Sequence, residues 1–146
     1  MAEYHPVSVH FPIVLLLLWP ILDGLGLWLK KEDLCSVAVG LLLLALVSTL
    51  IATITGQAAF DRALAQGYDL ALLEKHTLDA DIMPWLVLVL ALVRSVGVHR
   101  FGKRAHMIAV LMGFCVSGFL LSVAHEGGDL VYANGVGVQK GEVEAK

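Results

Sequence analysis

Four long apolar runs dominate the sequence and constrain its fold more than any other feature. They cover residues 11–29, 37–55, 82–98 and 106–124. Each is close to the length that an α-helix needs to cross about 30 Å of hydrocarbon. In lipid every backbone N–H and C=O must be satisfied within the protein, and the alternating pattern of a membrane β-barrel is absent. The sequence therefore predicts an all-α integral membrane protein with four transmembrane helices.

The composition agrees with a chain that has the lipid bilayer as its solvent. It is 58% hydrophobic and 16% charged, whereas soluble domains are about half apolar and a quarter charged. The net charge of -3 excludes a nucleic-acid binder that relies on a basic face. The first run has no basic region before it and no small-residue cleavage site after it, so we expect a retained span rather than a signal peptide.

The connections between the runs indicate the arrangement of the helices. Residues 30–36 and 99–105 are short links, which place consecutive helices side by side and predict an antiparallel four-helix bundle. The middle link is long enough to hold an interfacial helix at about residues 68–79. We expect one domain over residues 1–138, followed by a polar tail at 139–146.

Basic residues collect on one side of the predicted bundle. They are Lys30, Lys31, Arg94, Arg100, Lys103 and Arg104. The positive-inside rule places this side in the cytoplasm. The sequence thus predicts a multi-pass membrane protein with both termini outside, in the periplasm if the host has an outer membrane.

Residues 125–138 are rich in glycine and poor in helix-forming residues. Asn134-Gly135 is a turn signal between two short apolar stretches. We expect this segment to leave the fourth helix as an external loop and to cover the mouth of the bundle.

Two charged residues lie within the apolar runs. Asp23 is about two turns from the cytoplasmic end of the first helix, and Arg94 is about one turn from that end of the third. Ionisable groups at such depth pair or face water, so we predict a structural Asp23–Arg94 ion pair. No further acid or histidine is expected at mid-depth, which argues against a proton-coupled transporter.

Small residues recur at four-residue spacing in the second and fourth runs. They are Ser48, Ala52 and Gly56, then Gly113 with Ser117, and Gly118 with Ser122. Such spacing lets helix backbones approach closely. It predicts packing inside this bundle or, alternatively, contact with a helix of a partner.

Histidines from different helices are expected at one depth on the external side. His10 precedes the first run, His76 precedes the third, and His125 follows the fourth. Imidazoles from facing helices are how bundles hold haem iron and other metals. We therefore predict that a b-type haem takes its axial ligands from His76 and His125, or from either one together with His10. Other predicted residues of this layer are Asp79, which could orient the His76 ring, and Asp61, Asp129 and Tyr132.

Two alternatives to haem remain open for these histidines. They could hold another metal, or they could cap helix ends and hydrogen-bond the glycine-rich loop. No CxxCH motif is present, so covalent c-type haem is excluded. The P-loop, HExxH and GxSxG motifs are also absent, and the chain is not expected to be an enzyme by itself. A disulfide between Cys35 and Cys115 is not expected, since about half a bilayer should separate them.

Several motifs resemble a family of bacterial membrane proteins. They are Val9-His10-Phe11-Pro12-Ile13, then Gly56, His76 and the stretch Gly127-Gly128-x-Leu130-Val131-Tyr132-x-x-Gly135-Val136-Gly137-Val138. The family is domain of unknown function 2231, a predicted four-helix membrane protein. The resemblance implies four spans and an inner-membrane location. Relatives beside or fused to cytochrome-type domains imply an electron-transfer setting. Where many members have a histidine before Gly-Val-Gly-Val, this chain has Asn134, so no ligand is expected there.

Three functions follow as hypotheses. The first is an integral-membrane subunit of a bacterial redox or electron-transfer complex that binds b-type haem near the periplasmic face. The second is a cofactor-free structural or assembly subunit that docks other membrane or periplasmic subunits. The third is a small-solute transporter, and the lack of a polar path at mid-membrane counts against it.

Overall fold

The computed structural model describes residues 1–138, which form four long helices. They are α1 (Ala2–Leu29), α2 (Glu32–Ala65), α3 (Leu70–Phe101) and α4 (Lys103–Tyr132). Each is long and apolar enough to cross a membrane, and no β-strand occurs among the described residues. The predicted all-α fold with four helices of spanning length is confirmed. The predicted polar tail at 139–146 lies outside the described residues.

Local backbone chemistry determines where the helices begin and end. Lys30 closes α1 in the left-handed conformation, with φ 55°. Asp69 caps α3, because its side chain accepts a hydrogen bond from the Ala71 N–H at 3.1 Å. Gly102 has φ 65° and reverses the chain between α3 and α4. The links between helices are therefore shorter than the sequence predicted.

The helices are longer than the apolar runs that revealed them. The 34 residues of α2 span about 50 Å at 1.5 Å per residue, well beyond the roughly 30 Å of a hydrocarbon core. The apolar runs mark the stretch suited to lipid, whereas the backbone stays helical beyond it.

The separate interfacial helix predicted at residues 68–79 is wrong. Instead, α3 starts at Leu70 and continues directly into the third apolar run. Leu73, before the run, and Met83, within it, are both buried in the bundle. A continuous helix lets both residues pack, and no helix-breaking sequence separates them.

The external loop predicted from residue 125 is wrong over its first half, because α4 runs on to Tyr132. Gly127 serves a close contact inside this helix: a Cβ there would lie 3.0 Å from Cε1 of His76. Turns follow only after Ala133, where Gly135 has φ 69°. The Tyr68 hydroxyl donates to the Gly135 carbonyl at 2.7 Å and holds this turn against the start of α3.

The four helices form a ring in which α1 and α3 each contact both α2 and α4. Contacts between α1 and α2 pair residues in opposite order along the two helices. His5 near the start of α1 lies against Thr55 late in α2, while Gly26 late in α1 lies against Cys35 early in α2. Inside the ring, the large apolar side chains that are almost fully buried include Leu16, Trp19, Leu42, Val87 and Leu90.

The bundle has two chemically different ends. We call one the basic end, where α1 joins α2 at Lys30 and Lys31 and α3 joins α4 at Gly102. We call the other the histidine end, which holds the start of α1, the link at residues 66–69 and the turns after α4. A polar cluster lies toward each end.

Candidate functional site

A buried ion pair links α1 to α3 toward the basic end. Arg94 Nε donates to Asp23 Oδ2 at 2.7 Å, and Arg94 Nη2 donates to Asp23 Oδ1 at 2.8 Å. Asp23 is fully buried and Arg94 is 6% exposed. Such two-point geometry is the strong form of a carboxylate–guanidinium contact. The structure thus brings together the two residues that the sequence paired.

His106 completes this cluster and was missed by sequence reasoning. Its Nε2 lies 2.9 Å from Asp23 Oδ2, and its side chain is 9% exposed. Since a carboxylate only accepts, Nε2 donates this hydrogen bond. The residue stands at the edge of the fourth apolar run, where water is the default neighbour. The one available signal was Asp23 itself, which needs more partners than a single arginine supplies.

The Asp23 cluster is better suited to an ion pair than to a metal. Ligand atoms of Asp23, Cys35 and His106 lie within 4.8 Å of one another. An open groove of about 350 Å³ is lined in part by Cys35, Arg94 and His106, but Asp23 is not among its lining residues. Moreover, both Asp23 oxygens already accept from the Arg94 guanidinium. A cation here would meet that positive charge, so the cluster is best described as a neutralised link between three helices.

At the histidine end, His5 is held against α2 by polar contacts. Its Nδ1 lies 3.2 Å from the Ala52 carbonyl oxygen and 3.3 Å from Thr55 Oγ1. Because a carbonyl only accepts, Nδ1 carries the proton and Nε2 keeps a free lone pair in the neutral ring. The ring packs on Gly56, where a Cβ would lie 3.0 Å from Cε1.

His76 lies between α3 and α4 in a matching position. Its imidazole lies against the backbone of Val123 and packs on Gly127. The His76 Nδ1 is buried and makes no hydrogen bond of normal geometry within the described residues, although the Val123 carbonyl lies near the ring. His5 and His76 are close enough to interact electrostatically. The structure therefore brings His76 next to His5, which the sequence reasoning did not choose as a ligand.

Carboxylates surround His76 on one side. Lys75 Nζ donates to Glu126 Oε1 and, at 3.1 Å, to Asp79 Oδ2. Asp79, expected to orient the His76 ring, is therefore held by Lys75. The second oxygen of Glu126, Oε2, is buried without a partner in the described part of the chain. This side of the histidine end thus offers unpaired nitrogen and oxygen atoms close together.

The other predicted ligands lie at the surface. His10 is exposed, and the His125 side chain is 81% exposed, with Nε2 3.6 Å from Asp129 Oδ2. Asp61 and Tyr132 are also exposed. Among residues 1–138, only the Asp23 cluster places three such ligand atoms within 4.8 Å, so His10, His76 and His125 do not converge as a trio.

Comparison with known proteins identifies the family. Residues 3–140 match the model of a family described as predicted membrane protein, DUF2231. Searches of curated proteins and of solved structures gave no match. Because the family model covers most of the sequence, including both polar clusters, the chain belongs to the DUF2231 family of predicted membrane proteins.

Proposed function

We propose that the chain is an integral-membrane subunit of a bacterial redox or electron-transfer complex, with a metal centre at its histidine end. The observation that carries this proposal is the buried Nδ1 of His76, which has no partner among the described residues. Buried polar atoms are nearly always hydrogen-bonded, and each exception calls for an explanation. An imidazole nitrogen that binds a metal is such an explanation.

The proposed centre is a b-type haem, and the residues present fit an imidazole-ligated iron. His76 supplies a buried imidazole nitrogen that is available to a metal. Gly127 lets the His76 ring pack directly on the backbone of α4, because a Cβ there would lie 3.0 Å from the ring carbon Cε1. A bound haem would supply one-electron transfer. The protein's part is to orient the imidazoles and keep them out of bulk water.

The proposed setting is the inner membrane, with the four helices crossing it as an antiparallel bundle. The basic end carries exposed Lys30, Lys31, Arg100, Lys103 and Arg104, which supports a cytoplasmic location for that end. The histidine end and both termini then lie at the periplasmic face. A centre there would be accessible to periplasmic or membrane partners.

An optical and metal analysis of protein purified in detergent tests the redox proposal. The cells should receive haem precursor and trace metals during expression. We expect a Soret band that shifts on reduction, at a constant ratio to protein, and its loss in His76→Ala. His99→Ala is the matched control, since His99 is an exposed histidine at the basic end of the same helix. Protein without haem and without bound metal would refute the proposal.

A second candidate is a cofactor-free subunit that docks a membrane partner. Gly118 and Ser122 are exposed on α4, and a Cβ at Gly118 would meet nothing within 4 Å. This open strip of small residues allows a foreign helix to approach closely. Gly118→Leu should then abolish co-purification of a partner helix, whereas Leu121→Phe, at another exposed position of α4, should not. Unchanged co-purification in Gly118→Leu would refute this role.

A further inference from the structure

The two helical hairpins of the bundle correspond residue by residue. Asp23 and Arg94 are 71 residues apart, and the same offset relates many other structural landmarks. It takes Glu32, the first residue of α2, to Lys103, the first residue of α4. It also takes Lys31, at the end of the first link, to Gly102, which forms the second. The hairpin α1–α2 therefore matches the hairpin α3–α4 in helix register.

Contacts at the histidine end repeat with this offset. In the first hairpin the imidazole of His5 reaches the Ala52 backbone and packs on Gly56. In the second, the imidazole of His76 lies against Val123 and packs on Gly127. The Cβ-to-Cε1 distance would be 3.0 Å in both. The equivalent positions are His5 and His76, Ala52 and Val123, and Gly56 and Gly127. Each pair is 71 residues apart, as Asp23 and Arg94 are.

Contacts at the basic end repeat in the same way. A Cβ at Gly26 would lie 3.2 Å from the Leu34 Cβ, and a Cβ at Gly97 would lie 3.6 Å from the Ala105 Cβ. Gly26 and Gly97 are equivalent positions, as are Leu34 and Ala105. The correspondence thus extends over the length of both hairpins.

Equivalent residues can touch each other only where they lie on the axis that relates the two halves. Asp23 and Arg94 are equivalent and form a direct ion pair. A pseudo-twofold axis therefore passes through the ion pair. It also relates His5 to His76, which pack in equivalent ways on Gly56 and Gly127. It runs along the bundle from the ion pair to the histidines.

We infer that His5 and His76 are the paired protein ligands of one transition-metal centre on this axis. The inference rests on the proposed function and names its second ligand. Both imidazoles are half-buried at the same end of the bundle and are related by the pseudo-twofold axis, so a metal on that axis would take one nitrogen from each ring. Each ring is fixed by the helix that it packs on, as ligating histidines commonly are. The shared chemistry is imidazole ligation, of haem iron or of a bare ion.

The surroundings of the two ligands differ although their positions are equivalent. Beside His5, the Ser8 and Thr55 hydroxyls lie 2.8 Å apart. The equivalent positions beside His76 are Asp79 and Glu126, which are joined through Lys75. His76 is therefore the ligand with carboxylates near its ring, and carboxylates near a ligating imidazole raise its basicity.

Single substitutions on protein purified from haem- and metal-supplied cells test the ligand pair. His5→Ala and His76→Ala should each lose the bound metal or convert a six-coordinate low-spin haem to a high-spin form, read by absorption and electron paramagnetic resonance. His10→Ala and His125→Ala should keep the wild-type spectrum. A pyridine haemochrome assay together with elemental analysis distinguishes haem from a bare ion, and either result supports the site.

Rescue by added imidazole distinguishes the loss of a ligand from the loss of the fold. His5→Gly and His76→Gly in buffer with imidazole should regain the low-spin spectrum, or the metal content, of the wild type. A wild-type spectrum in His5→Ala would overturn the ligand pair and leave the proposed function intact. The same holds if His10→Ala or His125→Ala loses the metal instead. Wild-type protein with neither haem nor metal would overturn both.

Discussion

The carboxylate of Asp23 and the guanidinium of Arg94 are both withdrawn from solvent, so each depends on the other. In Arg94→Ala, Asp23 would keep only the hydrogen bond from His106. Removing one partner of a buried pair typically costs about 3–5 kcal/mol. We expect that loss in the free energy of unfolding, measured by denaturant titration in detergent micelles.

Two variants control for the charge itself. Arg100→Ala removes an exposed arginine from the same end and should change stability by less than about 0.5 kcal/mol. The double variant Asp23→Asn/Arg94→Gln leaves no uncompensated charge and should recover part of the loss. Equal stability of Arg94→Ala and wild type would contradict a structural role for the pair.

Gly113 makes the closest side-chain approach in the core. A Cβ there would overlap Cζ3 of Trp19, a fully buried ring. Gly113→Ala should therefore lower the free energy of unfolding by about 1–3 kcal/mol through overpacking. Gly118→Ala is the matched control on the same helix, since nothing lies within 4 Å of its Cβ. The control should be neutral, or stabilising by up to about 1 kcal/mol. Equal effects of the two would contradict this packing.

Single residues differ in how far the sequence reveals them. The contact of Asp23 with Arg94 could be anticipated, because charges within apolar runs must find partners. His106 and His5 could not, because His106 stands at the edge of a run and His5 lies before one, where water is the default neighbour. Gly127 has the local pattern of a loop glycine. Gly127 packs against the ring of His76, which belongs to another helix, so the sequence around Gly127 alone does not reveal this contact.

Among the helices, α1 lacks one internal backbone hydrogen bond, and a side chain of α4 supplies a replacement. Pro20 has no N–H, so the Leu16 carbonyl oxygen lacks the backbone donor that it would normally have four residues later in the helix. The Ser117 hydroxyl of α4 lies 2.7 Å from that carbonyl oxygen and can donate to it. The same hydroxyl lies 2.9 Å from the Gly113 carbonyl, so its proton is shared. Because of this proline, α1 depends on a hydrogen bond from Ser117 of α4 at this turn.

A double-mutant cycle measures this repair. Ser117→Ala should lower the free energy of unfolding by about 1–3 kcal/mol, since it leaves a buried carbonyl unpaired. In a Pro20→Ala background the cost should be smaller, because an alanine at that position restores the N–H within α1. Ser122→Ala, an exposed serine on α4, should be neutral. Equal costs of Ser117→Ala in both backgrounds would show that the hydroxyl does not serve Leu16.

At the level of helices, the sequence predicts how many helices there are and that they can span a membrane, but not where each helix begins and ends. Hydropathy marks the lipid-facing portion of each helix, and all four runs lie within helices. It does not show where a helix ends in water, which is why α3 and α4 are longer than expected. It also does not show that the two hairpins share a register, since that relation becomes clear only from contacts such as those of Gly56 and Gly127.

For the whole molecule, the proposed orientation predicts the result of reporter fusions. Alkaline phosphatase folds only outside the cytoplasm, so a fusion after Val138 should be active and one after Gly102 should be inactive. The physical reason is the cluster of exposed lysines and arginines at the basic end. Green fluorescent protein at the same two positions is the control and should give the opposite pattern. Active phosphatase after Gly102 would place the basic end outside.

The Asp23–Arg94 pair also imposes an order of events during biosynthesis. Its partners are 71 residues apart, so at about 5–20 residues per second Asp23 leaves the ribosome roughly 4–14 s before Arg94. During that interval the carboxylate has no guanidinium, and an unpaired charge is unfavourable in lipid. The first helix must therefore stay beside the insertion machinery, or at the membrane surface, until the third arrives. The two hairpins would then enter the lipid together, although they are made one after the other.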